Sequence, residues 1–269
     1  MNTVDPDHYG GWSGTLRACE FDAKDMASIA DQNGFETRTL LTRQGTASAV
    51  RDAIGRAADE LGEGDILFLT YSGHGGQVPD RNGADEPDRQ DETWVLFDRQ
   101  LVDDELFALW ARFQKGVRIF VLSDSCHSGS VTRDLFDAVT PGVVEKGMVD
   151  DDEPRTKDMP REVQDETYAR NSELYDSIQR HHEAGDTVDV GASVLLISGC
   201  QDNQLSFDGT RNGLFTQTLL RVWNDGRFRG GHRALWKAIQ AQMPPTQSPN
   251  LFVVGHQNRT FVRQRPLTI

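Results

Sequence analysis

The chain has 269 residues, with 42 acidic side chains against 28 Lys and Arg side chains, and a formal net charge of −14. This charge argues against a nucleic acid or an anionic membrane as a partner and favours a protein that attracts cations or basic peptides. The 3 cysteines are far apart and odd in number, which is typical of a reducing compartment. No apolar run approaches the ~20 residues that span a bilayer, so we expect a cytoplasmic location.

Predicted helices and strands alternate along the chain, as in a parallel α/β sheet. The predicted helices cover residues 20–33, 46–61, a segment opened by Asp103 and Asp104, 161–182, 213–223 and 232–243. The predicted strands cover residues 36–41, 65–71, 93–97, 117–122, 192–200 and 250–254, with an acidic loop at 80–92. Apolar runs recur without a break in composition, so we expect a single domain over residues 1–269, in which an exposed acidic linker at 134–190 joins residues 1–133 to residues 191–269.

Two of the apolar strands run into short segments of small residues that carry an imidazole and a thiol. The strand at 65–71 leads to His74, and the strand at 117–122 leads to Cys126. If these strands are neighbours in a parallel sheet, both groups lie at its carboxyl edge, where open α/β folds place their sites. A nearby base makes a thiol nucleophilic, and an imidazole can also protonate a leaving amine. The pair therefore predicts a cysteine acyl-transfer enzyme.

A structural role is the alternative for both residues. A lone cysteine at a strand end is more often a small buried apolar residue, and a lone histidine is more often structural. Glycines follow both residues and let the backbone approach a substrate, which favours the catalytic interpretation.

The two motifs resemble those of a known family. Tyr71-Ser-Gly-His-Gly-Gly-Gln77 and Asp124-Ser-Cys-His-Ser-Gly129 are similar to the motifs of metacaspases, in particular the bacterial orthocaspases, among the caspase-like cysteine peptidases. The resemblance extends across nearly the whole chain and includes Ile197-Ser-Gly-Cys-Gln-Asp202. It implies an α/β caspase-like (caspase-hemoglobinase) fold, with a mainly parallel central sheet and helices on both faces. Residues 1–133 then correspond to the large subunit of caspases and residues 191–269 to the small subunit.

The resemblance also implies roles at the strand ends. Cys126 is the expected nucleophile and His74 its acid/base partner, and the backbone N–H groups of Gly75 and Cys126 are the expected oxyanion donors. No organic cofactor is implied. The expected substrates are polypeptides, cleaved through a thioester acyl-enzyme.

Specificity for a basic side chain is expected from Asp124, two residues before the nucleophile. A carboxylate there repels an acidic side chain and attracts Arg or Lys. In metacaspases, which this arrangement resembles, the pocket also includes the positions matched here by Cys19, Asp22 and Ser72. We therefore expect cleavage after Arg or Lys, although a solvated residue in the first turn of a helix is an alternative for Asp22.

Calcium is a further expectation from the resemblance. Asp91, Asp103 and Asp104 match three calcium-binding positions of metacaspases, and carboxylate oxygens suit this ion. The fourth position departs from the family pattern because Arg133 occupies it, with Asp134 one residue later. Capping of the following helix is the alternative for the Asp pair.

The N-terminus and the linker each lead to a further structural prediction. Family members begin with an apolar strand that should already be ending at Asn2, so we expect exposed sheet edges and weaker folding, or a neighbouring molecule in its place. In the linker, basic residues on exposed backbone are candidates for self-cleavage, with a simple connector as the alternative. These residues are Arg155, Lys157, Arg161 and Arg170.

The leading hypothesis is thus a monomeric cysteine endopeptidase specific for Arg or Lys, calcium-activated and self-processing. One alternative is a catalytically idle caspase-like scaffold that binds partners through the same pocket. Another is a peptide ligase using the same dyad, in which an amine rather than water resolves the thioester.

Overall fold

The computed structural model describes residues 1–81, 89–126, 155–182, 188–201 and 204–269. The helices in these ranges are α1 (Cys19–Gln32), α2 (Ala47–Glu60), α3 (Asp103–Trp110), α4 (Arg161–His181), α5 (Leu214–Trp223), α6 (His232–Gln240) and α7 (Arg259–Arg263), with a 3-10 turn at Thr42–Gln44. The strands are β1 (Ile66–Ser72), β2 (Gly75–Pro79), β3 (Gln90–Val95), β4 (Gln100–Val102), β5 (Arg118–Asp124), β6 (Ser193–Ser198) and β7 (Asn250–Gly255).

The main sheet has the strand order β1-β5-β6-β7. β1, β5 and β6 are parallel to one another, and β7 is antiparallel to β6. A second, antiparallel sheet has the order β2-β3-β4. The predicted fold class, an α/β fold with a mainly parallel sheet and helices on both faces, is confirmed.

The central strand β5 shows why both faces of the sheet are covered. Its side chains alternate between two hydrophobic clusters, with Ile119 and Val121 in one and Phe120 and Leu122 in the other. The first cluster includes residues of α2 and α3, and the second includes residues of α1, α5 and α6. A continuous apolar run is typical of a parallel strand buried on both faces. No helix in the described ranges combines the length and the apolar character that crossing a bilayer requires.

The predicted strand at residues 36–41 is wrong. Within the described part of the chain these residues pair with no strand, and together with β1 they line a cleft of about 700 Å³. Across the described residues, β1 is paired along the edge that faces β5. The amino group of Met1 donates to the carbonyl of Ser72 at the end of β1. A strand needs a neighbour for its backbone hydrogen bonds, and the cleft separates residues 36–41 from the nearest one. Among the residues that the structure describes, no strand pairs with the other edge of β1.

Two other expectations are corrected. The acidic loop is shorter than predicted, because β2 and β3 form a hairpin whose pairs run from Gly75 opposite Trp94 to Pro79 opposite Gln90. The linker was expected to be exposed, yet Lys157 and Met159 in it are 0% exposed. Lys157 is buried because its side chain and backbone are bound by both halves of the chain.

Candidate active site

The register of β1 and β5 brings the two sequence motifs together. Ser72 is directly opposite Asp124 in this parallel pair. Because His74 and Cys126 each follow two residues later, both lie at the carboxyl edge of the sheet. Both are buried, with exposed fractions of 5% for His74 and 0% for Cys126. The expectation that their strands are neighbours is confirmed.

Each ring nitrogen of His74 faces a backbone carbonyl. Nδ1 is 3.1 Å from the oxygen of Asp158, and Nε2 is 3.0 Å from the oxygen of Gly14. The Trp12 ring packs against the imidazole, with 4.7 Å between the ring centroids. Burial lowers the pKa of His74 to about 4, against the opposing effect of the two carbonyls. The imidazole is therefore neutral at pH 7 and can accept a proton, and both N–H groups of the resulting cation then have an acceptor.

The Cys126 thiol is protonated in this arrangement. Burial raises its pKa well above the usual value, and a hydrogen bond with the Cys200 thiol acts in the same direction. The nearby carboxylates of Asp158 and Asp124 add to the effect. Cys200, at the end of β6, also donates from Sγ to the carbonyl of Ser125 at 3.3 Å. The thiol thus needs a base to become a nucleophile.

The Lys157 carbonyl occupies the position between the two expected oxyanion donors. It accepts the backbone N–H of Gly75 at 3.0 Å and the backbone N–H of Cys126 at 3.1 Å. These are the two donors named from the sequence. The arrangement can stabilise negative charge on a carbonyl oxygen held beside the thiol.

The Lys157 side chain fills a pocket that we call the cation pocket, formed by Asp22, Ser72 and Asp124. Nζ lies 3.0 Å from an oxygen of each of these three side chains. Burial alone would lower the pKa of Lys157, but Asp124 and Asp22 outweigh it and raise the pKa well above its usual value. The pocket therefore holds a charged ammonium group with an acceptor for each of its three hydrogens.

Other side chains orient the two carboxylates. Ser206 donates to Asp124 Oδ1 at 2.8 Å, and Thr216 donates to Oδ2 at 2.6 Å. Ser72 donates to Asp22 Oδ2 at 2.7 Å. Ser206 and Thr216 were missed in the sequence because no motif marks them, and their contact with Asp124 exists only once β6 and α5 pack beside β5.

Cys19 is the first residue of α1 and is fully buried beside the pocket. Burial raises the pKa of its thiol, and the positive charge of Lys157 opposes this effect. The helix that begins at Cys19 carries Asp22 in its first turn. Cys19 therefore lies beside the pocket at the start of the helix that supplies one of its two charges.

Three of the expected calcium residues lie on β3 and at the start of α3, which directly follows β4, the partner strand of β3. Asp91 lies on β3 opposite Val78, Asp103 and Asp104 open α3, and Asp134 is outside the described residues. Within the described ranges, no three His, Cys, Asp or Glu side chains are grouped so that they could hold a metal ion. The calcium expectation stays a prediction, because Asp134 lies outside the described residues, and no step below uses the ion.

A family model described as "Caspase domain" matches residues 3–265. The chain belongs to the caspase-domain family. Metacaspase-1 of Mycosarcoma maydis is 29% identical over 236 residues, covering 78% of this chain and 58% of the relative. Metacaspase-1A of Aspergillus fumigatus is 37% identical over 154 residues, covering 52% of this chain and 37% of the relative. The chain thus spans about half the length of these curated relatives.

A solved structure is similar over almost the whole caspase domain. It is the crystal structure of a Geobacter sulfurreducens protein, 53% identical, with a TM-score of 0.85, covering 99% of this chain and 95% of that chain. The metacaspase resemblance inferred from the two motifs is confirmed, since the family model matches residues 3–265 and the relatives named above are metacaspases.

Proposed function

We propose that this caspase-domain chain is a cysteine endopeptidase that cleaves after Lys or Arg, and that the Lys157–Asp158 bond is its own first substrate. The observation that supports the proposal is the pose of Lys157. Its ammonium group occupies the cation pocket while its carbonyl accepts both expected oxyanion donors. A linker residue with no role in the site would not need its ammonium group paired with carboxylates and its carbonyl bound by both oxyanion donors.

The backbone on either side of Lys157 is also bound as a substrate would be. The Lys157 N–H donates to the carbonyl of Ser206 at 2.8 Å, and the Asp208 N–H donates to the carbonyl of Arg155 at 3.0 Å. Beyond the bond, the Met159 N–H donates to the carbonyl of Gly75 at 2.8 Å. Pairing of an extended segment along existing backbone is a common mode of peptide recognition. This backbone pairing supports an endopeptidase, because the chain is held on both sides of the Lys157–Asp158 bond.

The proposed chemistry uses these groups in turn. Neutral His74 takes the Cys126 proton, and the thiolate attacks the carbonyl carbon of Lys157. The oxyanion that forms is held by the N–H groups of Gly75 and Cys126. The imidazolium then protonates the Asp158 nitrogen, the amine leaves, and water hydrolyses the thioester. The Gly14 carbonyl orients the ring throughout, acting through a backbone oxygen rather than a third acidic side chain.

The first test compares matched fluorogenic peptides ending in Lys, Arg or Asp, with Cys126→Ala as the blank. Hydrolysis after Lys and Arg, absent after Asp and absent in the variant, is expected because two buried carboxylates line the pocket. Each assay is run with calcium and with a chelator, which tests the calcium expectation directly. Hydrolysis of the Asp peptide, or activity that survives in Cys126→Ala, would contradict the proposal.

A second measurement addresses self-cleavage. Intact mass of the purified chain over time is expected to show a cut between Lys157 and Asp158, with none at that bond in Lys157→Ala or Cys126→Ala. An active chain that stays uncut would refute the self-processing part alone. A folded chain inert on every peptide would instead favour the idle scaffold, and products joined to an added amine would favour the ligase.

A further inference from the structure

The far end of the cation pocket is closed by the loop before α5. The Gly213 N–H donates to Asp22, 3.1 Å from Oδ1 and 3.4 Å from Oδ2. The Asn212 side-chain amide donates to Asp22 Oδ1 at 3.0 Å and to Asp25 Oδ2 at 2.9 Å. The loop therefore orients one of the two pocket charges while its backbone forms a wall.

Position 213 requires glycine because a side chain would not fit there, and not because the backbone conformation excludes other residues. Its φ of −59° and ψ of 152° are open to any residue. A Cβ built on it would lie 2.6 Å from Asp124 Oδ2, and closer still to the Nζ of Lys157. The absent side chain thus leaves the room in which the ammonium group and its carboxylate partner sit.

We propose that Gly213 sets the length of the cationic side chain that the pocket accepts. The inference rests on the proposed function and adds a specificity-determining residue to it. A methyl group at position 213 occupies the place reached by the end of a lysine, so the cation must stop short of it. Ornithine, one methylene shorter than lysine, withdraws its ammonium group from the wall, whereas the guanidinium of arginine extends further toward it.

The test uses the full chain carrying Lys157→Ala, so that its own lysine does not compete, and peptides with ornithine, Lys or Arg before the cleaved bond. With Gly213→Ala added, kcat/KM for Lys and Arg is expected to fall by roughly 100-fold or more, through KM, because a pocket that cannot pair a buried cation rejects it strongly. The loss for ornithine is expected to stay under about 10-fold, so that the order of preference inverts. Equal losses for the three peptides, or no loss, would overturn the proposal.

Gly191→Ala is the matched control, because a Cβ there lies 3.6 Å or more from its nearest neighbours and far from the pocket in the fold. It is expected to leave all three rates unchanged. Melting curves of each variant show that the compared proteins are folded.

A measurement without catalysis separates this inference from the proposed function. In a Cys126→Ala chain, Gly213→Ala is expected to lower the melting temperature clearly when Lys157 is present and much less when Lys157→Ala is present. Equal shifts in the two backgrounds would refute the proposal that Gly213 limits side-chain length, even if the enzyme cleaves after Lys. Unequal shifts would support it even if no peptide is cleaved.

Discussion

The side chain of Lys157 carries a fully buried positive charge, which a few neighbouring atoms stabilise. Its ammonium group is 0% exposed and is shared by Asp22 and Asp124, which are 1% and 2% exposed. Two buried charges of one sign are tolerated beside each other only because the ammonium group lies between them. Removal of one partner from a buried ion pair typically costs about 3–5 kcal/mol because it leaves an uncompensated charge.

We predict that Asp124→Asn lowers kcat/KM for Lys peptides by at least about 100-fold, since the asparagine keeps the shape but loses the charge. In an uncleavable Cys126→Ala chain, the same change is expected to reduce the free energy of unfolding by several kcal/mol. Urea unfolding and steady-state kinetics measure the two effects. Asp59→Asn is the control, because Asp59 forms a surface pair with Arg112 and its side chain is 70% exposed. Similar losses in both variants would contradict a role specific to the pocket.

The sequence motifs identified the side chains of the cation pocket but not the backbone group that contacts His74. Asp22, Ser72 and Asp124 could be named from the motifs around Cys19, His74 and Cys126, and all three contact the Lys157 ammonium group. Gly14 could not be named, because it acts through a backbone carbonyl that every residue carries.

The helix α4 anchors the segment that holds Lys157. Gln164 on this helix is 3% exposed and bridges two backbones. Its Oε1 accepts the Gln77 N–H of β2 at 3.1 Å, and its Nε2 donates to the Met159 carbonyl at 2.6 Å. The helix therefore fixes the backbone just after the proposed cleavage site against the hairpin that follows His74.

We predict that Gln164→Leu in a Cys126→Ala chain destabilises the docked segment, because it removes the side-chain hydrogen bonds to two backbone groups at a cost of about 1–3 kcal/mol. Hydrogen exchange at Met159 is expected to accelerate, while exchange in β5 stays slow. Glu173→Gln is the control, because Glu173 is exposed on the same helix, and it should leave the exchange at Met159 unchanged. Equal protection of Met159 in all three chains would show that α4 does not anchor the segment.

Helix periodicity was the more reliable signal among the elements. The predicted helix at 161–182 is α4 almost to the residue, whereas the predicted strand at 36–41 does not form. A helix satisfies its backbone within its own sequence, but a strand requires a partner whose position depends on the rest of the chain.

Across the whole molecule, two buried histidines connect stability to pH. His74 and His232 are 5% and 0% exposed, and burial lowers the pKa of each to about 4. The folded pKa lies below the usual 6.5 of an unfolded histidine, so below pH 6.5 the unfolded chain takes up protons that the folded chain refuses. The free energy of unfolding therefore falls as the pH decreases from 6.5 to about 4.

We predict that an uncleavable Cys126→Ala chain loses stability between pH 7 and pH 5, on the order of 2 kcal/mol for each of these histidines. His232→Asn is expected to reduce this loss of unfolding free energy by about the contribution of one histidine. His232 is a suitable site for the change because it is remote from the proposed chemistry, and its Nδ1 contacts the carbonyl of Phe261 at 2.9 Å. Urea unfolding at several pH values measures the slope. An unchanged slope in His232→Asn would contradict the prediction.

The sequence by itself determined most of the helices, the strands β1, β5, β6 and β7, and the placement of His74 and Cys126 at strand ends, because periodicity and small-residue motifs act over a few neighbouring residues. Only the tertiary structure decided that Lys157, in a linker expected to be exposed, lies between Asp22 and Asp124 with its carbonyl on Gly75 and Cys126. Likewise, only the fold left β1 beside an open cleft. These contacts join residues far apart in the chain, and charge, burial and hydrogen bonding can select them only once the sheet has brought those residues together.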